Sequence, residues 1–279
     1  TPRAPPRGRR LACQSAPRGD CTIKARIAET NLARHAPERR IVRFEGARTI
    51  THDIAEISFR ADAPARFQAG QYALLTLPGQ AAARAYSMSN TANDAGLWRF
   101  MVRRVPGGRV SNALFDRLTA GAGTIALDGP FGLAYLREET PRDIVCVAGG
   151  SGLAPMVAIL DAAALHAQVQ QRAAWLFYGG RGPADVPDVD AVLATHARHG
   201  WRERFSFHPT VSVPALAEGT DWGGERGFVH ELLPRTLKRP LPDYEYYLAG
   251  PPPMIEAATR LLVVDARVPQ AQLHFDRFF

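Results

Sequence analysis

The stretch Cys146-Val147-Ala148-Gly149-Gly150-Ser151-Gly152-Leu153-Ala154-Pro155 decides the fold. It opens in an apolar run, residues 144–148, of the length of a buried strand. It then passes through a glycine-rich turn into an apolar segment, 153–168, that reads as a helix. Glycines let a backbone come close to a ligand, and a helix N-terminus offers unpaired N–H groups to a pyrophosphate. Ser151 either caps that helix or contacts the ligand. Pro155 suits a first helical turn, where its missing N–H is no loss. A standard dinucleotide fingerprint carries a third glycine or an alanine where this chain has Pro155. The turn therefore departs from the ordinary dehydrogenase version.

Further along, Tyr247-Leu248-Ala249-Gly250-Pro251-Pro252-Pro253-Met254-Ile255 repeats the logic. A strand ends in a turn made rigid by successive prolines, and a helix begins. From residue 142 onward, expected strands at 144–148, 174–178, 205–208 and 244–248 alternate with expected helices at 153–168, 188–199 and 252–266, with a last strand at 272–275. That alternation predicts a parallel sheet covered by helices on both faces. Ligands sit at the carboxyl ends of such strands, so the two turns would flank one crevice.

The front half reads differently. Short runs at 41–45, 54–60, 72–77, 85–90, 97–103 and 124–128 are separated by turn residues, which predicts an antiparallel barrel or sandwich. A helix at 111–118 interrupts it. Arg84-Ala85-Tyr86-Ser87 offers a forked cation, a flat ring and a small hydroxyl on one strand. Gly107-Gly108-Arg109-Val110-Ser111 is a glycine turn leading into a helix with Ser111 as its N-cap, again a source of donors for an anion. Gly129-Pro130-Phe131-Gly132 reads as a turn, and Phe275-Asp276-Arg277-Phe278-Phe279 as an aromatic tail that either packs in a core or covers a flat ring.

Composition sets limits. With 279 residues, 46% hydrophobic and 22% charged, the chain has material for two ordinary globular domains. No apolar run approaches the ~18 residues of a membrane helix, so no membrane partner is expected. The net charge of +7 is scattered and comes with no nucleic-acid-binding motif, so no nucleic acid is expected; it suits phosphate-bearing cofactors or an acidic redox partner. Cys13, Cys21 and Cys146 match neither a zinc pattern nor a disulfide framework, so no metal site and a cytoplasmic setting are expected.

Taken in order, these elements resemble the ferredoxin–NADP reductase superfamily over residues 40–279. They are most similar to the reductase components of multicomponent aromatic-ring oxygenases, such as the toluene and phenol hydroxylase reductases. The resemblance implies an FAD-binding antiparallel barrel over 41–136, six-stranded, followed by an NAD(P)-binding α/β domain over 137–279 with a five-stranded parallel sheet. It implies that Arg84, Tyr86, Ser87, Val102, Gly107, Gly108 and Ser111 hold FAD, with Ser87 nearest to a catalytic residue. It implies that Gly150, Ser151, Gly152, Pro155, Arg181, Gly250, Pro251, Pro252 and Met254 hold the nicotinamide coenzyme, and that Phe278 or Phe279 covers the flavin face. The implied activity moves hydride from NADH or NADPH to FAD and passes electrons singly to a ferredoxin or oxygenase component, in a monomer. Many relatives carry cysteine where this chain has Ala249, which bears on the efficiency of hydride transfer.

Residues 1–40 read as linker, and the part around Leu11-Ala12-Cys13 and Asp20-Cys21 resembles the end of a plant-type ferredoxin domain. Cys13 would be its fourth cluster ligand. One thiolate cannot hold a [2Fe–2S] cluster, so none is expected in this chain. Arg181 suits a 2′-phosphate and so NADPH, whereas Asp185 suits a ribose hydroxyl and so NADH. The resemblance favours NADH. A general flavin reductase and a non-catalytic NAD-binding module are the alternatives, and Arg84, Tyr86 and Ser87 argue against the second.

Overall fold

The computed structural model describes residues 18–22, 24, 32–80, 82–120, 123–193 and 201–278. The chain divides into two compact units, Thr1–Ala33 and Arg34–Phe279. Cys13 lies outside the described residues, and Cys21 is exposed. The barrel and the parallel sheet both lie in the second unit.

Its front half is a barrel of six antiparallel strands: β1 (Glu38–Thr49), β2 (Ile54–Arg60), β3 (Tyr72–Thr76), β4 (Arg84–Ser87), β5 (Leu97–Arg103) and β6 (Thr124–Phe131). The order is β4-β3-β6-β1-β2-β5. A bridge between Met88 and Phe100, and the bond from Ser89 N to Arg99 O (2.8 Å), bring the two ends together. Inward side chains such as Val42, Ile57, Leu75, Trp98 and Phe100 are almost wholly buried and fill the interior. Helix α1 (Arg109–Ala120) follows β5. Its first intrahelical bond runs from Asn112 N to Gly108 O (3.2 Å), so Gly108 is the N-cap and Ser111 sits inside the first turn, a correction to the expected cap. The segment Gly129-Pro130-Phe131, expected as a turn, continues β6: Gly129 pairs with Glu38 and Phe131 with Tyr72.

The rear half is a parallel sheet in the order β10-β9-β8-β7-β11-β12. Its strands are β7 (Asp143–Gly149), β8 (Ala174–Gly180), β9 (Phe205–Val211), β10 (Glu225–Arg226), β11 (Tyr244–Gly250) and β12 (Leu273–Arg277). The sheet has six strands rather than the expected five, because the two-residue β10 adds to one edge. Helices α2 (Leu153–Leu165) and α3 (Val189–Val192) flank the sheet together with α4 (Val229–Thr236) and α5 (Pro252–Thr259). The chain beyond α5 winds on as a π-helix, Arg260–Asp265. The expected helix over 188–199 reduces to α3 within the described residues. Every residue of β11 is buried, as befits a strand covered on both faces. Cys146 in β7 is buried as well, and burial pushes its thiol pKa well up, which suits packing and not reactivity. Among the described residues, no helix is long and apolar enough to cross a membrane.

Candidate functional site

Two cavities meet where the barrel faces the carboxyl ends of the parallel strands, and Arg103 at the end of β5 lines both. The barrel-side cavity has a volume of about 800 Å³. The sheet-side cavity measures about 440 Å³. Both fall in the range that small ligands and cofactors occupy.

The barrel-side cavity gathers Arg84, Tyr86 and Ser87 from β4 with Gly107, Gly108 and Ser111 from the α1 entrance. Arg84 is exposed, and among the described residues its one hydrogen bond goes to the Ala83 carbonyl (3.2 Å), so its charge has no acidic partner there. Gly107 has φ +72°, which tightens the turn that aims the helix N-terminus into the cavity. The Tyr86 hydroxyl is pushed up to about 12 by burial, against the pull of Arg84, so the ring stays neutral. Ser87 is buried.

Val102 does not join this group. Its side chain is wholly buried inside the barrel, because alternation along β5 turns Met101 and Arg103 outward to the cavity instead. Phe279 lies outside the described residues. Phe278 does line the cavity, and its N–H donates to Gly250 O (3.0 Å), which ties the chain's end to the turn after β11. Ser151, expected beside the coenzyme, faces this cavity too.

Two further residues stand here that sequence reasoning missed, Tyr72 and Asp276. Asp276 Oδ2 is buried with no hydrogen-bond partner among the described residues. Burial pushes its carboxyl up to about 6. An orphaned oxygen on the wall of a large cavity fits a ligand that brings a donor. The folded chain therefore holds a proton at Asp276 between pH 3.8 and about 6 that the unfolded chain releases, and stability falls as pH rises through that window. Asp276→Asn is expected to flatten this fall in the ligand-free protein. The gain over the parent at pH 7–8 is on the order of 3 kcal/mol, vanishing near pH 4. Urea unfolding across a pH series measures it, and identical pH slopes for the two proteins would refute the buried acid.

The sheet-side cavity is built from the turns after β7, β8 and β11. Gly150 (φ +57°) takes the left-handed bend that starts the turn into α2. A Cβ on Gly149 would stand 2.7 Å from Met254 Sδ, so the two glycine turns touch. Gly150, Arg181, Pro251 and Met254 line the space. Gly152, Pro155, Gly250 and Pro252 do not. They shape the turns from behind: Gly152 lets α2 pack against the end of β11, and Pro155 is buried in the first turn of α2.

Asp185 accepts from the Arg181 side chain through Nε and Nη2 (both 2.9 Å) and from its backbone N–H (2.8 Å). Burial works to raise the Asp185 carboxyl, but these bonds and one from Gly182 N–H overcome it and hold the carboxyl down at about 2. His52, Asp53 and Asp185 bring ligand atoms within 4.8 Å of one another. Both carboxylates are already engaged by guanidinium groups, which disfavours a cation there. Phe228, 59% exposed, lines the mouth and stacks on His230 (ring centroids 6.0 Å apart), a flat apolar surface for a base. Sequence reasoning missed Phe228, as it missed Asp53 and Arg103.

The donor sets suit a dinucleotide in each cavity: a glycine turn at a helix N-terminus, an arginine beside it and an aromatic face. Comparison with known proteins agrees. Residues 42–135 match an oxidoreductase FAD-binding domain, and residues 146–260 match an oxidoreductase NAD-binding domain. The ferredoxin–NAD(P)+ reductase CarAd of Metapseudomonas resinovorans is 37% identical over 97% of this chain and 78% of its own length. The phenol 2-monooxygenase reductase component DmpP of Pseudomonas sp. (strain CF600) is 32% identical over 96% of this chain and 74% of its own. Among solved structures, the ferredoxin reductase in carbazole 1,9a-dioxygenase superposes with a TM-score of 0.83 at 34% identity, over 97% of this chain and 78% of that one. With both domains matched in order, the chain belongs to the ferredoxin–NAD(P)+ reductase family and is an FAD-dependent NAD(P)H oxidoreductase.

Proposed function

We propose that the protein is the reductase component of an oxygenase system, taking hydride from NADH and delivering electrons singly to an iron–sulfur or oxygenase partner. The observation that carries this is the pair of cavities sharing Arg103, one suited to a flavin and the other to a nicotinamide coenzyme. Relatives that this chain matches over about three quarters of their own length are named for carbazole, phenol and xylene/toluene oxygenase systems, which supports the same kind of acceptor here.

FAD, when bound, supplies what no side chain can: it accepts two electrons together and releases them one at a time. The chain's own residues bind and orient. Arg84, the Gly107–Gly108 turn and Ser111 hold the flavin diphosphate. Tyr86 offers a neutral ring along the cavity. Ser87 presents a buried hydroxyl as donor or acceptor at the reacting centre, and Phe278 keeps water from it. On the sheet side, Gly150, Pro251 and Met254 shape the seat of the coenzyme, and Phe228 offers its ring to the adenine.

Preference for NADH is supported by the state of Arg181. Its charge is already matched by Asp185, with Asp53 3.6 Å away, so a 2′-phosphate would meet two carboxylates. A protein that spends NADH works where NADH is regenerated, which supports a cytoplasmic place of action, and a monomer suits a carrier that meets its partners transiently.

The test is an anaerobic visible spectrum of the purified protein before and after NADH and then NADPH. Bleaching of a flavin spectrum, faster with NADH, is expected. A protein that binds no flavin on reconstitution would overturn the reading. Ser87→Ala is expected to keep its flavin and slow the bleaching by about tenfold, the loss of one well-placed hydrogen-bonding group. An unaltered rate would remove Ser87 from the reacting centre.

A further inference from the structure

Asp53 stands in the turn between β1 and β2, outside the glycine turns and the Arg84–Ser87 strand, yet three hydrogen bonds fix it. Its carbonyl oxygen accepts from Arg104 N–H (2.7 Å), and Oδ1 accepts from Thr51 Oγ1 (3.2 Å). Oδ2 accepts from Arg103 Nε (2.7 Å) and lies 3.6 Å from Arg181 Nη2. The Asp53 side chain is only 17% exposed. One carboxylate of the barrel thus joins a barrel cation to a cation of the parallel sheet, at the junction of the two cavities.

The bond at Nε has a geometric consequence. With Nε held by Asp53, the Arg103 guanidinium is anchored where the residue lines both cavities. A Cβ placed on Gly150 would lie 3.6 Å from Arg103 Nη1, so the guanidinium sits beside the glycine turn whose N–H groups start α2. Two guanidinium groups converging on one small space repel each other, and the carboxylate between them offsets that repulsion. His52 completes the set: its Nδ1 lies 2.9 Å from Ala184 O, and its Nε2 lies 3.7 Å from Asp185 and 3.9 Å from Asp53.

We propose that Asp53 is a positioning residue that aims Arg103, at the barrel–sheet junction, at the diphosphate of the nicotinamide coenzyme, while Arg181 stays paired with Asp185. The proposal rests on the reading of the sheet-side cavity as the coenzyme site. It makes a carboxylate favour the binding of an anion, which is opposite to what its charge alone would do. Removing Asp53 deletes a negative charge next to the diphosphate, so bare Coulomb attraction predicts tighter binding. Loss of positioning predicts weaker binding, because the forked donors of an arginine act only in a fixed geometry.

Calorimetric titration of the purified flavoprotein with NAD+, ADP-ribose and adenosine decides between them. Dissociation constants of Asp53→Asn and Asp53→Ala are expected to rise about tenfold or more for NAD+ and ADP-ribose, both of which carry the diphosphate. Adenosine, which lacks it, is expected to bind the variants as it binds the parent. Asp53→Glu is expected to recover most of the affinity. A general loosening of the junction would weaken all three ligands together and overturn the proposal. So would NAD+ affinity that is unchanged or tighter in Asp53→Ala. The near-isosteric Asp53→Asn keeps the comparison open if Asp53→Ala does not fold. Failure of the parent to bind NAD+ at all would instead remove the coenzyme site itself, and the two failures are told apart before any variant is compared.

Discussion

A Gly152→Ala protein is expected to keep its flavin and lose its coenzyme. Gly152 lies in the short turn Gly150–Gly152 that leads into α2, with ordinary helical dihedrals (φ −60°, ψ −9°), so its backbone does not require glycine. What requires it is space. A Cβ at this position would sit far inside contact distance of the Ala249 carbonyl oxygen and 2.8 Å from Gly250 N. Both neighbours are backbone atoms at the end of β11, and neither can rotate away. The methyl group must therefore push the turn after β7 off the turn after β11, the two turns that wall the sheet-side cavity in which we propose the coenzyme lies. Overpacking of this kind costs roughly 1–3 kcal/mol or more, and a seat displaced by even an ångström loses much of its affinity. We expect at least a hundredfold rise in the NAD+ dissociation constant and a lower melting temperature. The flavin should be held within a fewfold of the parent, because Arg84, Tyr86 and the α1 entrance belong to the barrel and, among the described residues, only Ser151 and Phe278 reach its cavity from the displaced turns. Coenzyme affinity within twofold of the parent would refute the packing argument.

The legibility of this fold in the sequence followed periodicity and punctuation. β7 and β11 could be read because a strand buried on both faces is a continuous apolar run, and each ends at glycine. β2 and β5 were legible over their whole lengths, 54–60 and 97–103. β1 was read too short because Gly46 looks like a stop. The register shift between Phe44 and Gly46 is a bulge through which pairing with β2 continues to Thr49. β10 carries no signal in two residues, and α4 is short with Pro234 inside it, which argues against a helix on local grounds.

The site divided along a similar line. Residues carried by turn motifs, such as Gly108 and Gly150, were visible because turns write themselves in glycine and proline. Asp53, Arg103, Asp276 and Phe228 were not, because each gains its meaning from a partner distant in sequence. Arg103 and Asp53 are fifty positions apart, and Asp276 comes from the far end of the chain to a cavity of the barrel. Val102 is named with the flavin residues by resemblance alone, and its side chain points into the barrel interior while its neighbours Met101 and Arg103 line the cavity, because successive residues of a strand face opposite sides.

Arg84→Ala is expected to cost the protein its flavin. Arg84 opens β4, whose register places it opposite Leu75 of β3. From there its side chain lines the barrel-side cavity across from the Gly107–Gly108 turn. Most arginines of the barrel have acidic partners: Arg48 pairs with Glu56, Arg66 with Asp94 and Arg103 with Asp53. Arg84 has none among the described residues, only the Ala83 carbonyl beside it. A cation left unpaired at a cavity wall, next to a helix N-terminus, is poised for a diphosphate, which it can grip with two parallel N–H donors. Hydrogen bonds between charged groups contribute about 1.5–3 kcal/mol each, so deletion should raise the FAD dissociation constant by roughly ten- to a hundredfold. Arg84→Lys keeps the charge and loses the fork, and should fall between the two. The ratio of flavin to protein absorbance after gel filtration gives the first reading, and titration of the apoprotein with FAD gives the constant. The barrel itself should stay folded, since Arg84 is exposed and supports no core contact. Full flavin retention in Arg84→Ala would mean that Arg84 does not hold the diphosphate.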